Sequence, residues 1–280
     1  MPGIPISSIM IRSIRRISSA VTTTSIAVPL AICVTGYLEK PKLRQPILIE
    51  GLPGVGNVGK LAAEHLIDEI KAKKFAEIYS NDFPPQVFVN PDGTIKLVKN
   101  ELYYKKRKGK DLIILTGDFQ GMSSKGQYIL AEAVLDIAQE MGVEMIYTLG
   151  GYGIGMEVEK PRVIGAATHE EIVKELRKYG VIFKGEEGGG IIGASGLLLG
   201  LGMLRGMRGA CLMGETSGYI VDPNSARQVI KVLTELLGIK ISFARLDEKA
   251  EEVKRITDRI KSLERTIAEK EKREDLRYIG

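Results

Sequence analysis

The sequence predicts an α/β fold: a single domain with a mostly parallel sheet flanked by helices, followed by a C-terminal amphipathic helix. Three observations carry this. Short apolar runs end in Gly-rich turns and are followed by amphipathic helices, the pattern of strands and helices alternating around a covered sheet. The chain has 280 residues at 44% hydrophobic and 27% charged, enough apolar material for one sizeable core. From Arg245 onward the composition becomes charged and heptad-periodic. The chain therefore divides into residues 1–38, a loosely ordered or non-native extension, 39–243, the α/β domain, and 244–280, a charged heptad helix and tail.

The first 38 residues hold Arg12, Arg15 and Arg16 without an acid, then an uncharged stretch rich in Ser, Thr, Val and Ile. A targeting segment is one reading. The seven Ser/Thr and the central Pro29 favour the other, a loose tail or an early start choice. Ile47–Glu50 reads as a buried strand ending in Gly51-Leu52-Pro53-Gly54-Val55-Gly56-Asn57, after which Leu61, Ala62, His65, Leu66 and Ile70 recur at helical spacing. Strands are expected at 75–79 and 86–89, a hairpin arm at 94–104, and a central strand at 111–116 closed by Gly117-Asp118-Phe119-Gln120. A helix at 125–141 leads to a strand at 144–149 and the turn Gly150-Gly151-Tyr152-Gly153. Strand 162–168, helix 169–179, strand 208–213 and helix 226–237 complete the domain. Residues 191–204 are uncharged and too few to span a bilayer, so they read as a tightly packed buried helix.

In the C-terminal segment Leu246, Val253, Ile260 and Ile267 repeat every seven residues, with Ile256 and Leu263 at the second seam position. The seam lies on its own domain or zips against a neighbouring chain, and both readings stand. Tyr278 and Ile279 form an apolar-aromatic tip, so these residues are the partner-binding candidates.

Net charge is +5, of which the three N-terminal arginines supply much, so no continuous basic groove is expected, though a local patch is not excluded. There is no Trp and only six Phe, which argues against base-stacking platforms. No nucleic-acid or membrane partner is expected. Cys33 and Cys211 stand alone, which excludes a zinc cluster or disulfide framework, and no cofactor or metal site is expected. The chain reads as cytoplasmic.

Gly54-x-Gly56-x-x-Gly59 follows a strand and opens a helix, as in the dinucleotide fingerprint, and with Lys60 it also makes most of a phosphate-binding loop. The phosphate loop lacks Ser or Thr after its lysine, where Leu61 stands. The dinucleotide reading lacks an acid at the end of the second strand: Glu77 lies inside it and Asp82 beyond it. A glycine turn selected for close strand–helix packing explains the same residues. In a parallel sheet, ligands sit outside the carboxyl ends of the strands. Folding is expected to gather Gly54, Gly56, Asn57, Asp118, Gln120, Gly151, Tyr152, Glu215 and Thr216 at such a rim as a ligand pocket, with Asp118 and Glu215 available as an acid/base pair. No catalytic constellation is present: His65 sits on an apolar helix face, His169 reads as a helix N-terminus, and neither Ser195 nor Ser217 lies in a nucleophile elbow.

Gly51 to Asn57, Asp82-Phe83-Pro84-Pro85, Gly117-Asp118-Phe119-Gln120, Gly150-Gly151-Tyr152-Gly153, Gly193-Ala194-Ser195-Gly196 and Gly214-Glu215-Thr216 occur in this order. The series, over about residues 38–245, resembles the archaeal branch of the proteasome assembly chaperone family, second-subunit type. The resemblance implies a mixed α/β fold similar to nucleoside phosphorylases and hydrolases. It also implies a non-enzymatic homo-oligomeric chaperone or scaffold, with itself and proteasome α-subunits or a related chaperone as partners. Members of that family dock through a C-terminal hydrophobic–tyrosine–any tripeptide. Here Tyr278 is third from the end, preceded by Arg277, so the register is shifted by one residue and a basic residue replaces the apolar one. The alternative is a nucleotide- or phosphate-binding protein or hydrolase using the Gly54–Gly59 loop.

Overall fold

The computed structural model describes residues 9–11, 33–183 and 189–277. In chain order the elements are β1 (Ile9–Ile11), β2 (Cys33–Tyr37), β3 (Ile47–Glu50), α1 (Val58–Ile70), β4 (Lys73–Ser80), β5 (Val87–Val89), β6 (Ile95–Leu97), β7 (Asn100–Lys105) and β8 (Leu112–Gly117). Then follow α2 (Ser124–Glu140), β9 (Met145–Gly153), β10 (Val163–Ala167), α3 (Glu170–Arg177), α4 (Ala194–Leu204), β11 (Arg208–Thr216), α5 (Pro223–Leu237) and α6 (Ala244–Arg277). The main sheet runs β1-β2-β4-β7-β8-β3-β9-β11-β10.

The four central strands β8, β3, β9 and β11 are parallel, as their helix-punctuated sequence predicts. Both flanks are antiparallel, which makes the sheet mixed. The reason lies in the connections. No helix separates β4 from β7, and a parallel return needs a crossover of about a dozen or more residues, usually helical. The expected arm at 94–104 divides accordingly: β6 pairs with β5 in a small hairpin, and β7 enters the main sheet between β4 and β8. Strand β2 lies inside the stretch assigned to the N-terminal extension, so the sheet reaches into residues 1–38. Most of that stretch lies outside the described residues.

Two cores sandwich the sheet. On one side α1, α3, α5 and the first turn of α6 cover Ile49, Ile114, Leu149 and Leu212, with Leu66, Leu176, Val229, Leu233 and Leu246 packed in. On the other, α2 and α4 cover Leu48, Phe75, Ile113 and Ile146 through Val134, Leu135 and Leu198. Strands β3 and β8 are buried along their whole length, as central parallel strands covered on both faces must be. Helix ends are set locally. Ser123 caps α2 through the Gly126 amide, and Asp222 caps α5 through Ser225 with Pro223 at its first turn. Gly238 closes α5 in the left-handed region at φ 63°.

Helix α4 falls inside the uncharged stretch, but it is buried on one side only. Leu198, Leu199 and Gly202 are packed, whereas Leu204 is 85% exposed. Among the described residues no helix is long and apolar enough to cross a membrane.

Candidate functional site

The turn between β3 and α1 explains the glycine fingerprint. Gly56 has φ 61°, and a Cβ there would also stand 2.9 Å from Thr216 Oγ1 at the end of β11. A Cβ on Gly151 would overlap the Val55 carbonyl, and one on Gly59 would overlap the Leu149 carbonyl. Asn57 takes the left-handed conformation at φ 51° and donates its amide to the Gly54 carbonyl at 2.9 Å. The Asp222 amide donates to the Gly56 carbonyl at 2.9 Å and draws the β11–α5 loop against the turn. Gln120 closes the other side, donating Nε2 to the Pro53 carbonyl at 2.7 Å and accepting from the Ala194 amide at 2.9 Å. Lys60, the lysine of the apparent phosphate loop, gives its ammonium to the Gly117 carbonyl at 2.6 Å and to Glu64 at 2.9 Å.

Gly54, Gly56, Asn57, Gln120, Gly151 and Thr216 are thus brought together, and the contacts among them are packing contacts. Tyr152 stands half-buried beside them near the end of β9. Asp118 and Glu215 are not brought together. Asp118 accepts from the Lys99 amide at 3.1 Å, beside β8. Glu215, 2% exposed on β11, is gripped by Arg162 through Nε at 2.8 Å and a terminal nitrogen at 2.5 Å. Strands β3 and β9 lie between, a separation of roughly 14 Å at the usual strand spacing, so the expected acid/base pair does not form. Replacing Arg162 with alanine removes both guanidinium bonds to a buried carboxylate, and a fall in melting temperature is the expected outcome in a thermal scan.

The residue that sequence reasoning missed is Glu50. It ends the central strand β3, is 0% exposed, and accepts from the Leu52 amide and from Ser195 Oγ, both at 2.9 Å. Burial pushes its carboxyl up to about 7, against the weaker opposing pull of those two donors. Across the sheet Thr148 faces Glu50 in register, and Cys211 faces Thr148. Burial pushes the Cys211 thiol up to about 12, so it is no nucleophile at neutral pH. The only hint in the sequence was an acid closing an otherwise apolar strand.

The folded protein holds the Glu50 proton that the unfolded chain releases near 4.5. Stability therefore falls as pH rises from about 4.5 to about 7 and then levels, a loss of about 3 kcal/mol at most. Glu50→Gln keeps the acceptor for Leu52 and removes the titration. Its melting temperature is expected to exceed the parent's at pH 8 and to match it near pH 4 in parallel scans.

The outer surface of the rim is apolar rather than polar. Val55 is 46% exposed, Tyr219 84%, and Ile220 and Val221 42% each. Val55 approaches Gly153 and Gly218, which joins the turn to the 217–222 loop. Helix α6 continues this character. Leu246 is 2% exposed and belongs to the domain's own core, which corrects its assignment as a partner contact. Val253 is half-buried, whereas Ile256 and Ile260 are 54% and 51% exposed. The side chains of Leu263 and Ile267, and all of Tyr278 and Ile279, lie outside what the structure describes. Among the described residues no group of His, Cys, Asp or Glu is placed to hold a metal ion.

A packed-down glycine turn, an apolar rim and a C-terminal helix with exposed isoleucines define an α/β protein that presents apolar side chains to solvent rather than a polar ligand pocket. The chain belongs to the PAC2 family, whose model matches residues 48–261. It is 44% identical over 243 residues to the uncharacterized protein MJ1210 of Methanocaldococcus jannaschii, covering 85% of this chain and 93% of that protein. Among solved structures it is similar to Pyrococcus furiosus PbaB, described as an archaeal proteasome activator: 45% identity, TM-score 0.79, 82% of this chain and 98% of that one. It is also similar to Pyrococcus furiosus PbaA, described as an archaeal homolog of proteasome-assembly chaperone: 29% identity, TM-score 0.69, 84% and 94% coverage.

Proposed function

We propose that the protein is a non-enzymatic, homo-oligomeric scaffold of the proteasome system, cytoplasmic, whose α6 helices engage proteasome α-subunits. The observation that carries this is the similarity to PbaB over almost the whole of that chain. The architecture supports it. Leu246 fixes the base of α6 in the core, and the helix then carries Ile256 and Ile260 away from the domain, so its tip can reach a partner while its root stays rigid. Identity to PbaB exceeds that to PbaA, which favours engagement of the assembled core particle over transient contact with assembly intermediates.

The test is to add the full-length protein to an archaeal proteasome core particle and, separately, to its free α-subunits. Faster peptide hydrolysis by the core particle is the expected result. Faster ring assembly without stimulated hydrolysis assigns the chaperone role instead, and neither effect contradicts the proposal. The same reading predicts that nucleotides and inorganic phosphate leave the melting temperature unmoved, because the Gly54–Gly59 turn is filled by its own chain. A saturable rise that Gly56→Val abolishes would restore the ligand-binding alternative.

A further inference from the structure

We propose that a basic groove at the amino ends of β3 and β8, opposite the apolar rim, receives an acidic segment of a protein partner. Residues 39–44 and 105–111 carry eight Lys and Arg against Glu39 and Asp111, a local excess larger than the net +5 of the whole chain. No such convergence was visible in regional charge counts, because these two loops are far apart in sequence. The fold clips them together around Asp111, which is 4% exposed and accepts from the Arg44 amide at 2.7 Å and the Arg107 amide at 2.8 Å. The Asp111 amide in turn donates to the Arg44 carbonyl at 3.1 Å.

Between the loops lies an open groove of about 610 Å³ lined by Lys42, Leu43, Arg44, Lys106, Arg107 and Lys108 with Asp111. Its charges divide by role. Arg44 is spent on the carbonyls of Arg107, Lys108 and Gly109, and Arg107 on the carbonyl of Leu237. The arginines and the buried carboxylate therefore hold the groove's shape. Lys106 feels Glu39, which Lys73 already pairs. Lys42, Lys108 and Lys110 have no acidic partner among the described residues, and all three are exposed.

Charge complementarity then selects the occupant. Exposed lysines on a braced frame attract carboxylates, and Leu43 supplies an apolar contact for the aliphatic part of an acidic side chain. Nucleic acid is disfavoured, because no aromatic ring lines the groove for a base to stack on and the patch is a compact hollow rather than a stripe. The groove residues Lys42 and Lys108 are distinct from Ile256 and Ile260 on α6, so variants at the two places separate this proposal from core-particle docking.

The experiment is fluorescence anisotropy of the full-length protein at about 0.15 M salt. The probes are labelled oligoglutamate, with labelled oligoglutamine as control, and the unlabelled competitors are single-stranded DNA of equal charge and inorganic phosphate. Oligoglutamate is expected to bind and oligoglutamine not. The Lys42→Glu/Lys108→Glu double variant is expected to weaken binding about tenfold, with melting temperature and core-particle association unchanged. Four results overturn the proposal: no peptide binding, binding unaffected by the double variant, DNA or inorganic phosphate out-competing the peptide, or a self-association of the protein alone that the variant abolishes. The last reassigns the groove to a second copy.

Discussion

Gly59→Val is expected to leave no folded protein at ordinary temperature. Gly59 sits in the first turn of α1 where that helix crosses the end of β9, and a Cβ would coincide with the Leu149 carbonyl. Neither partner can yield. The Leu149 backbone is locked in the centre of the sheet between β3 and β11, and α1 is pinned by Val58, Ala62, Ala63 and Leu66, all 0% exposed. Separating helix from sheet to admit the side chain would open the core along the whole of α1. That costs on the order of 4 kcal/mol or more, comparable to the entire stability of a domain. Gly200→Ala is the internal control, because a Cβ there meets nothing within 4 Å. In that exposed helical position alanine is expected to stabilise by up to about 1 kcal/mol. Circular dichroism melts of the two variants read the contrast directly.

Ile256→Asp/Ile260→Asp is expected to abolish association with the proteasome while leaving the domain's melting temperature unchanged. Both side chains are more than half exposed, so the folded monomer gains little from them. In a partner's groove or against a neighbouring α6, each buries a large aliphatic surface, and an aspartate there would be desolvated without a counter-ion. Leu246→Ala inverts the pattern. Leu246 is 2% exposed within the core, so its truncation lowers stability by about 2 to 5 kcal/mol. It disturbs docking only by loosening the root of α6.

Much of this architecture was legible because it is local. Helices α2, α3 and α5 and strands β8, β9 and β10 lie within a few residues of their expected positions, since periodicity and turn chemistry are short-range signals. The antiparallel flanks were not legible, because strand direction depends on which neighbours a strand finds and no helix marked the β4–β7 connection. Gly54, Gly56, Gln120, Gly151 and Thr216 meet at one rim, as the carboxyl ends of neighbouring strands predict. Their purpose is visible only in three dimensions, where each glycine faces a backbone or side-chain atom rather than empty space. Asp118 and Glu215 were misjudged for the same reason, since each already serves a local partner, the Lys99 amide and Arg162. Glu50 was hidden because an acid at a strand end ordinarily faces water. Only the fold shows α4 and Ser195 closing over it. Heptad spacing drew α6 well, yet it could not separate Leu246, which serves the core, from Ile256 and Ile260, which do not.

Native mass spectrometry of the full-length protein mixed with an archaeal proteasome core particle, with and without Ile256→Asp/Ile260→Asp, tests the central claim most directly. The account predicts a complex between core particle and homo-oligomer for the parent protein and two separate species for the variant. A complex that survives the double substitution would place the contact elsewhere. A homo-oligomer that ignores the core particle and carries a retained small-molecule mass would contradict the scaffold reading outright.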